Sequence, residues 1–192
     1  MDINIKNLSK AYDGQLVLED FTHCFKEGSF TCIMGKSGAG KTTLLSILMG
    51  LENADSGEIE GLEDKRISAV FQENRLCENL TALYNIKMVI KNESNISDIE
   101  ICQLLGRIGI DTSDKKTVNE FSGGMKRRVA ILRALLADFD LLIMDEPLKG
   151  LDIDTKDSVI ALIKEFTIGK TVIMTTHDIS EANTLSEEII NI

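Results

Sequence analysis

The sequence predicts an α/β fold built on a mostly parallel sheet. Two observations predict it: short apolar segments alternate with amphipathic helical patterns, and a glycine-rich segment, residues 35–42, lies between one such strand and one such helix. Strands that alternate with helices form sheets covered on both faces. Ligands of such sheets bind beyond the carboxyl ends of the strands, so functional residues are expected there.

The composition is that of one globular domain, with 192 residues, 43% of them hydrophobic and 27% charged. The formal net charge of -10 disfavours nucleic-acid binding, which depends on neutralisation of phosphates by Lys and Arg. We interpret the one dense basic patch, residues 126–128, as a solvated helix face. The sequence therefore predicts no nucleic-acid partner.

The four cysteines are Cys24, Cys32, Cys77 and Cys102. Their spacing fits neither a zinc site nor a secreted disulfide framework, so we expect reduced, mostly buried thiols in the cytoplasm. No targeting segment is evident, and no apolar run approaches the ~20 residues that span a bilayer. A membrane role is therefore expected to come through a partner.

In the first part of the chain, residues 3–8 and 28–34 are rich in β-formers and are predicted strands. A helix is predicted to begin at Lys41. Its apolar positions follow i, i+3, i+4, i+7 spacing and are Leu44, Ile47, Leu48 and Leu51. Residues 67–71 form a further short apolar segment, which predicts a strand.

Helical patterns dominate residues 73–128, with polar breaks at residues 92–95 and 111–114. We interpret this stretch as a helical insertion in the α/β domain.

After the insertion, residues 141–144 and 171–175 predict buried strands, and residues 189–192 predict the start of a last one. The apolar spacing of residues 159–166 predicts a helix between the first two. Asp178 with Glu181 three residues later predicts a capping box at the start of another helix.

Residues 35–42 fit the phosphate-loop pattern G-x-x-x-x-G-K-[ST] at every fixed position. Glycines let consecutive N–H groups form a concave anion site, and the following helix N-terminus adds partial positive charge. Lys41 is predicted to bind the β- and γ-phosphates of ATP, and Thr42 to ligate Mg²⁺. The predicted nucleotide-binding residues are Gly35, Ser37, Gly38, Ala39, Gly40, Lys41, Thr42 and Thr43.

The apolar strand at residues 141–144 ends in two carboxylates, Asp145 and Glu146. Asp145 is predicted to hold Mg²⁺, directly or through water. Glu146 is predicted to polarise the attacking water as a general base. Alone, the pattern equally fits a solvated strand end, but a phosphate loop upstream favours the magnesium interpretation.

The segment Phe-Ser-Gly-Gly-Met at residues 121–125 completes a set of motifs in a fixed order. With it, the chain resembles the nucleotide-binding subunits of ATP-binding-cassette (ABC) transporters over essentially its whole length. The resemblance implies a P-loop NTPase fold in a single domain, residues 1–192. Its RecA-like core, residues 1–72 and 129–192, would include an N-terminal antiparallel β part, and residues 73–128 would form the helical subdomain.

The resemblance also implies roles for residues outside the phosphate loop. Tyr12 matches the aromatic residue that stacks on adenine in the family. Gln72 matches the glutamine that contacts Mg²⁺ and senses the transmembrane partner, and is counted with Lys41, Glu146 and His177 as catalytic. His177 matches the histidine that contacts the γ-phosphate.

Ser122, Gly123 and Gly124 match the family signature, which closes over the γ-phosphate bound to the opposite protomer. Asp152 matches the loop that links the two sites. Phe121 and Met125 stand where leucine and glutamine are usual, a change that leaves the serine and glycines in place. The resemblance therefore implies a homodimer with two ATP molecules between phosphate loop and signature.

The resemblance implies an ATPase on the cytoplasmic face of the cell membrane that powers transport through separate permease subunits. Residues 72–76 and the Gly-Gly-Met signature favour the nitrate/sulfonate/taurine class of importers, with a substrate-binding protein as a possible further partner. An exporter ATPase or a soluble cassette ATPase of iron–sulfur assembly would carry the same motifs. A regulatory ATP sensor that does not hydrolyse ATP is disfavoured, because it would not need Glu146.

Overall fold

The structure is a computed structural model that describes residues 1–91, 96–113 and 115–192. The predicted polar break at residues 92–95, and residue 114 of the second break, lie outside the described residues. The helices and strands, in chain order, are β1 (Ile3–Tyr12), β2 (Gln15–Phe25), β3 (Phe30–Met34), α1 (Lys41–Leu48), β4 (Ser56–Glu60), β5 (Ile67–Val70), α2 (Ala82–Lys87), α3 (Asp98–Arg107), a 3₁₀ turn (Val118–Glu120), α4 (Gly123–Leu136), β6 (Leu141–Asp145), α5 (Ile153–Phe166), β7 (Thr171–Thr175), α6 (Ile179–Leu185) and β8 (Glu188–Asn191).

The described chain divides into two compact units. The first unit consists of Met1–Ile67, Phe139–Glu146 and Gly169–Ile192, and the second of Ser68–Asp138 and Pro147–Ile168. The first contains an antiparallel and a parallel sheet, whereas the second is mainly helical. The predicted α/β class, with an N-terminal antiparallel part, is confirmed.

The antiparallel sheet has the strand order β2-β1-β4. Asp13 and Gly14 join β1 to β2 with φ angles of 50° and 80°, as a two-residue type I′ hairpin turn requires. The strand predicted at residues 3–8 continues to Tyr12. The apolar pattern did not reveal β2 or β4, because both strands expose many of their residues.

The parallel sheet of the first unit has the strand order β6-β7-β3-β8. Asp145 of β6 pairs with Thr175 of β7, and Thr175 pairs with Ile33 of β3. Every residue of β6 and β7 is buried, as their continuous apolar sequences predict. Since all four strands run in one direction, their carboxyl ends meet at one edge, next to the segment that enters α1.

Helix α1 packs its apolar side chains into the core of the first unit. That core joins the two sheets and α1 through thirteen buried side chains, namely Ile3, Ile5, Leu8, Leu18, Phe25, Ile33, Leu44, Leu45, Ile47, Leu48, Leu141, Ile143 and Ile173. The prediction that Leu51 belongs to this helical face is wrong, since the helix ends at Leu48 and Leu51 is 56% exposed. Gly50, with a φ of 67°, terminates the helix in the left-handed conformation.

The capping box predicted for α6 is only half present. Asp178 does cap the helix, with its Oδ1 accepting a hydrogen bond from Ser180 N at 2.8 Å. Glu181 instead accepts a buried hydrogen bond from Thr176 Oγ1 at 2.5 Å. Thr176 Oγ1 in turn accepts from Asp178 N, so the threonine takes the place that the glutamate was predicted to fill.

In the second unit, two capping boxes that the sequence analysis did not use begin α3 and the 3₁₀ turn. They pair Ser97 with Glu100 and Thr117 with Glu120.

The interpretation of residues 126–128 as a solvated helix face is wrong for two of its three residues. Arg127 and Arg128, in α4, are only 5% and 8% exposed, because backbone carbonyl groups surround their guanidinium groups.

The expectation of mostly buried thiols is also wrong. Cys32 is buried in β3, where burial raises the pKa of its thiol to about 12, but Cys24 and Cys77 are exposed and Cys102 is half-buried. Within the described residues, no helix combines the length and apolar character needed to cross a membrane.

An arginine–carboxylate pair connects the starts of β5 and β6 in the first unit. Arg66 Nε and Nη2 donate to the two carboxylate oxygens of Asp140 at 2.8 and 2.7 Å, and Arg66 N donates to Oδ2 at 3.0 Å. These bonds hold the pKa of Asp140 well below its ordinary value of 3.8. A carboxyl group with a lowered pKa stabilises the folded state above its ordinary pKa, and this contribution is lost as the pH falls.

We therefore expect Asp140→Asn to lower the free energy of unfolding at pH 7 by about 1 kcal/mol, a modest value because both side chains are partly exposed. Urea unfolding should show this difference shrinking as the pH falls below 4. Glu60→Gln, which removes one exposed ion pair with Lys6, is the control and should lower the free energy of unfolding less than Asp140→Asn does. Equal losses in the two variants would contradict the account.

Candidate active site

The phosphate loop, residues 35–42, leaves β3 and enters α1 with close backbone packing around two of its glycines. A Cβ atom at Gly40 would lie 2.5 Å from the carbonyl oxygen of Val17 and 2.8 Å from the side chain of Leu18. Gly40 also has a φ of 88°, which disfavours any other residue. A Cβ atom at Gly35 would lie 2.5 Å from the carbonyl oxygen of Ile192.

Lys41, the first residue of α1, is only 8% exposed. Its Nζ donates hydrogen bonds to the carbonyl oxygens of Gly35 at 2.8 Å and Lys36 at 3.0 Å. The ammonium group is therefore folded against the first residues of its own loop. A phosphate group entering the loop would offer it stronger, charged acceptors.

Asp145 lies at the carboxyl end of β6 and connects the phosphate loop to the sheet. One carboxylate oxygen, Oδ2, accepts from Thr42 Oγ1 at 2.7 Å, and the other, Oδ1, accepts from Thr175 Oγ1 at 2.6 Å. Asp145 is 6% exposed, so these hydrogen bonds compensate for burial of its carboxylate. The arrangement fixes the position of the Thr42 hydroxyl relative to the strand ends.

Glu146 leaves the strand in an unusual backbone conformation, with a φ of 45°. Two bonds to Thr175 hold it there, since Glu146 N lies 3.0 Å from the hydroxyl and 3.2 Å from the carbonyl oxygen of that residue. Left-handed conformations are rare in residues other than glycine, and those that exist are concentrated at functional sites. His177 Nδ1 lies 3.5 Å from Glu146 Oε1, so the structure brings these two predicted catalytic residues together.

Tyr12 lies at the end of β1, beside the hairpin turn, and is 42% exposed. Lys10 Nζ lies 5.2 Å from the centre of its ring. An exposed ring at this position is available for stacking on a base.

The remaining predicted residues, Gln72, Ser122, Gly123, Gly124 and Asp152, lie in the second unit. Ser122 caps α4, with its Oγ accepting from Met125 N at 3.2 Å, and the two glycines form the first turn of that helix. Gln72 has an exposed side chain.

Asp152 caps α5. Its Oδ1 accepts from the backbone N and the hydroxyl group of Thr155 at 3.0 and 2.8 Å. These bonds lower the pKa of Asp152 below its ordinary value. The structure thus gives Asp152 a capping role, and its predicted role in linking two nucleotide sites stays a prediction.

Thr175 is a site residue that the sequence analysis missed. Its hydroxyl donates to Asp145 and accepts from Glu146 N, so one side chain fixes both acidic residues. The available signal was a threonine at the end of a buried strand, two residues before His177. That signal is weak, because threonine is common in strands.

The oxygen groups of Thr42 and Asp145 fit a magnesium ion. Mg²⁺ prefers oxygen ligands and is commonly bound by one or two protein groups together with substrate phosphates. The pair therefore suits an ion that also binds the phosphates of a nucleotide. Throughout residues 1–91, 96–113 and 115–192, no group of three or more His, Cys, Asp or Glu side chains could hold a metal ion.

Two glycines of the phosphate loop offer a matched pair of substitutions. Gly40→Ala places a methyl group against the carbonyl oxygen of Val17, whereas a Cβ atom at Gly38 meets nothing within 4 Å. Both glycines have a positive φ, so both alanines carry backbone strain. We expect Gly40→Ala to lower the free energy of unfolding by about 2–4 kcal/mol and Gly38→Ala by about 1 kcal/mol, measured in urea without nucleotide. Similar losses would show that the close packing at Gly40 is not required.

Comparisons with known proteins identify the family of the chain. A family model described as ABC transporter matches residues 18–149. The chain is 36% identical over 202 residues to the spermidine/putrescine import ATP-binding protein PotA of Spiroplasma citri, covering 98% of this chain and 58% of that protein. It is 35% identical over 190 residues to the aliphatic sulfonates import ATP-binding protein SsuB 2 of Paraburkholderia xenovorans, covering 98% and 75%.

The chain thus spans 58% of the length of the PotA relative. Among solved structures, it is similar to the dimeric, post-hydrolysis state of the ATP-binding cassette MJ0796 bound to ADP and phosphate. The TM-score is 0.84 at 31% identity, over 99% of this chain and 94% of that one. The family match and these relatives together show that the chain belongs to the ABC transporter family.

Proposed function

We propose that the chain binds ATP with Mg²⁺, hydrolyses it as a dimer, and thereby powers import through separate membrane permease subunits. The observation that carries the proposal is the hydrogen-bonded series Thr42–Asp145–Thr175, which ties the phosphate loop to the strand ends. Glu146 follows that series directly in the chain. The residues proposed to bind phosphate, to bind the metal ion and to act as general base therefore lie at one edge of the sheet.

ATP binding depends on the phosphate loop and on Lys41. The loop presents N–H groups at the start of α1, where the helix dipole favours anions. Lys41 would exchange its two carbonyl acceptors for the β- and γ-phosphates. Tyr12 would stack on the adenine ring. Both relatives are named as ATP-binding proteins, which supports ATP as the ligand.

Thr42 and Asp145 would hold Mg²⁺, with Gln72 as a further contact on the strength of the family resemblance. The bound ion would neutralise charge on the phosphate oxygens. The protein groups, in turn, would keep the ion and the γ-phosphate in a fixed position relative to Glu146.

Glu146 would accept a proton from the water that attacks the γ-phosphorus, while the bond to the β,γ-bridging oxygen breaks and ADP leaves. Its constrained backbone limits the directions in which its carboxylate can point. His177, close to Glu146 and 64% exposed at its side chain, would contact the γ-phosphate.

A second copy of the chain would complete each site. Ser122, Gly123 and Gly124 form the N-terminus of a 14-residue helix, which suits the binding of a γ-phosphate carried by the other protomer. The similar cassette MJ0796, which was solved as a dimer bound to ADP and phosphate, supports a dimeric form of the chain. Asp152 would contribute to the communication between the two sites.

The import direction is supported by the names of the relatives, which are both import ATP-binding proteins. One is named for polyamines and the other for sulfonates, at nearly equal identity. The nitrate/sulfonate/taurine class is therefore not favoured over a polyamine class. Cargo choice would reside in the permease and in a substrate-binding protein, and the chain would act at the cytoplasmic face of the membrane.

The proposal predicts that Glu146→Gln lowers the rate of ATP hydrolysis by at least about 100-fold, because the general base is lost. Dimerisation in the presence of ATP and Mg²⁺ should persist in this variant. Phosphate release and light scattering after size-exclusion chromatography measure the two properties.

Lys41→Ala is the companion variant, and it should lose ATP binding and dimerisation together. A wild-type chain that neither binds nor hydrolyses ATP, even with its permease, would refute the proposed function. An unchanged rate in Glu146→Gln would refute only the role of that residue.

A further inference from the structure

Arg127 is a buried arginine in the second turn of α4, with 5% of its surface exposed. Its Nε donates to the carbonyl oxygen of Pro147 at 2.8 Å. Its Nη1 donates to the carbonyl oxygens of Phe71 and Gln72, the latter at 3.4 Å, and to Asn74 Oδ1 at 3.5 Å. One guanidinium group therefore contacts two segments that are distant in sequence.

Burial of a guanidinium group is unfavourable unless its N–H groups are hydrogen-bonded. The contacts of Arg127 are mainly to backbone carbonyl oxygens, which lie at fixed positions along the chain. The guanidinium fork offers five N–H donors in a rigid plane. Neither lysine nor glutamine can reach both segments in this way, so the contact requires arginine.

The segment after β5, residues 71–75, depends on α4 for its backbone contacts. Besides the bonds to Arg127, it accepts hydrogen bonds from Arg133, whose Nη1 lies 2.9 Å from the carbonyl oxygen of Arg75. Arg133 Nη2 lies 3.3 Å from the carbonyl oxygen of Asn74. Two arginines of one helix therefore hold this segment, while the side chain of Gln72 stays exposed.

The same helix begins at the signature. Ser122 caps α4, and Arg127 lies on the next turn. Pro147, the other acceptor, directly follows Glu146 in the sequence. Arg127 thus connects three pieces of backbone: the signature helix, the segment that carries Gln72, and the residue after the proposed general base.

We propose that Arg127 is a positioning residue for ATP hydrolysis, which fixes the Gln72 segment to the signature helix so that the two move together. This inference depends on the proposed function of the chain. Arg127 touches none of the reacting atoms and acts through the backbone at Gln72 and Pro147. Its removal should therefore change the rate of hydrolysis more than the affinity for ATP.

The first test is a double-mutant cycle on kcat with Arg127→Gln and Gln72→Ala. We expect Arg127→Gln to lower kcat by about 10-fold or more with little change in KM for ATP, because small misplacements of catalytic groups are costly. Adding Gln72→Ala should lower kcat little further. Arg127→Lys, which keeps the charge without the fork, should behave like Arg127→Gln.

The matched control is Arg107→Gln, because Arg107 lies in the same unit and forms an exposed ion pair with Glu165. Arg107→Gln should leave kcat unchanged, and adding it to Gln72→Ala should leave the kcat of that variant unchanged as well. If the effects of Arg127→Gln and Gln72→Ala on kcat multiply in the double variant, the inference is overturned.

Limited trypsin digestion of the purified chain gives a readout that needs no ATPase activity, because Arg75 lies in the segment that the two arginines hold. We expect Arg127→Gln to speed cleavage after Arg75 at least about 10-fold, since cleavage requires the segment to leave its contacts with α4. Arg107→Gln should leave the rate of this cleavage unchanged. An unaltered rate of cleavage after Arg75 in Arg127→Gln would overturn the inference, whereas a wild-type chain without ATPase activity would count against the proposed function instead.

Discussion

The paired hydrogen bonds of Asp145 are the interaction on which the site depends. Thr42 brings the start of α1 to one carboxylate oxygen, and Thr175 brings the end of β7 to the other. The parallel register makes this possible, because Asp145 and Thr175 are paired residues of adjacent strands. Since the carboxylate is buried, loss of either hydroxyl would remove a hydrogen bond that stabilises it. The phosphate loop, the proposed metal ligands and Glu146 therefore hold their positions jointly.

In the second unit, too, hydrogen bonds compensate for buried charge, but there the buried groups are cations. Its buried cations, Arg127 and Arg128, are compensated by backbone carbonyl oxygens, and they hold irregular segments against α4. A helix can position a loop in this way only if long side chains reach the loop backbone. The signature and the Gln72 segment are thus both attached to α4.

Local patterns accounted for the predictions that succeeded. The strand, loop and helix at residues 30–48 were predictable, because their sequence signals are contiguous. The strands β6 and β7 were predictable because both are apolar and buried throughout. Contacts between distant residues were not predictable. The burial of Arg127 depends on carbonyl groups of residues 71 and 147, and the polar strand β4 is defined by pairing with β1. The role of Thr175 likewise required the register of the sheet.

The most direct test of the central claim is a crystal structure of the Glu146→Gln variant with ATP and Mg²⁺. The account predicts that Lys41 Nζ leaves the carbonyl oxygens of Gly35 and Lys36 and binds the phosphates. Thr42 Oγ1 should then bind Mg²⁺, with Asp145 beside it and the signature of a second copy on the γ-phosphate. A nucleotide bound elsewhere, or Lys41 still on its two carbonyl groups with ATP present, would contradict the account.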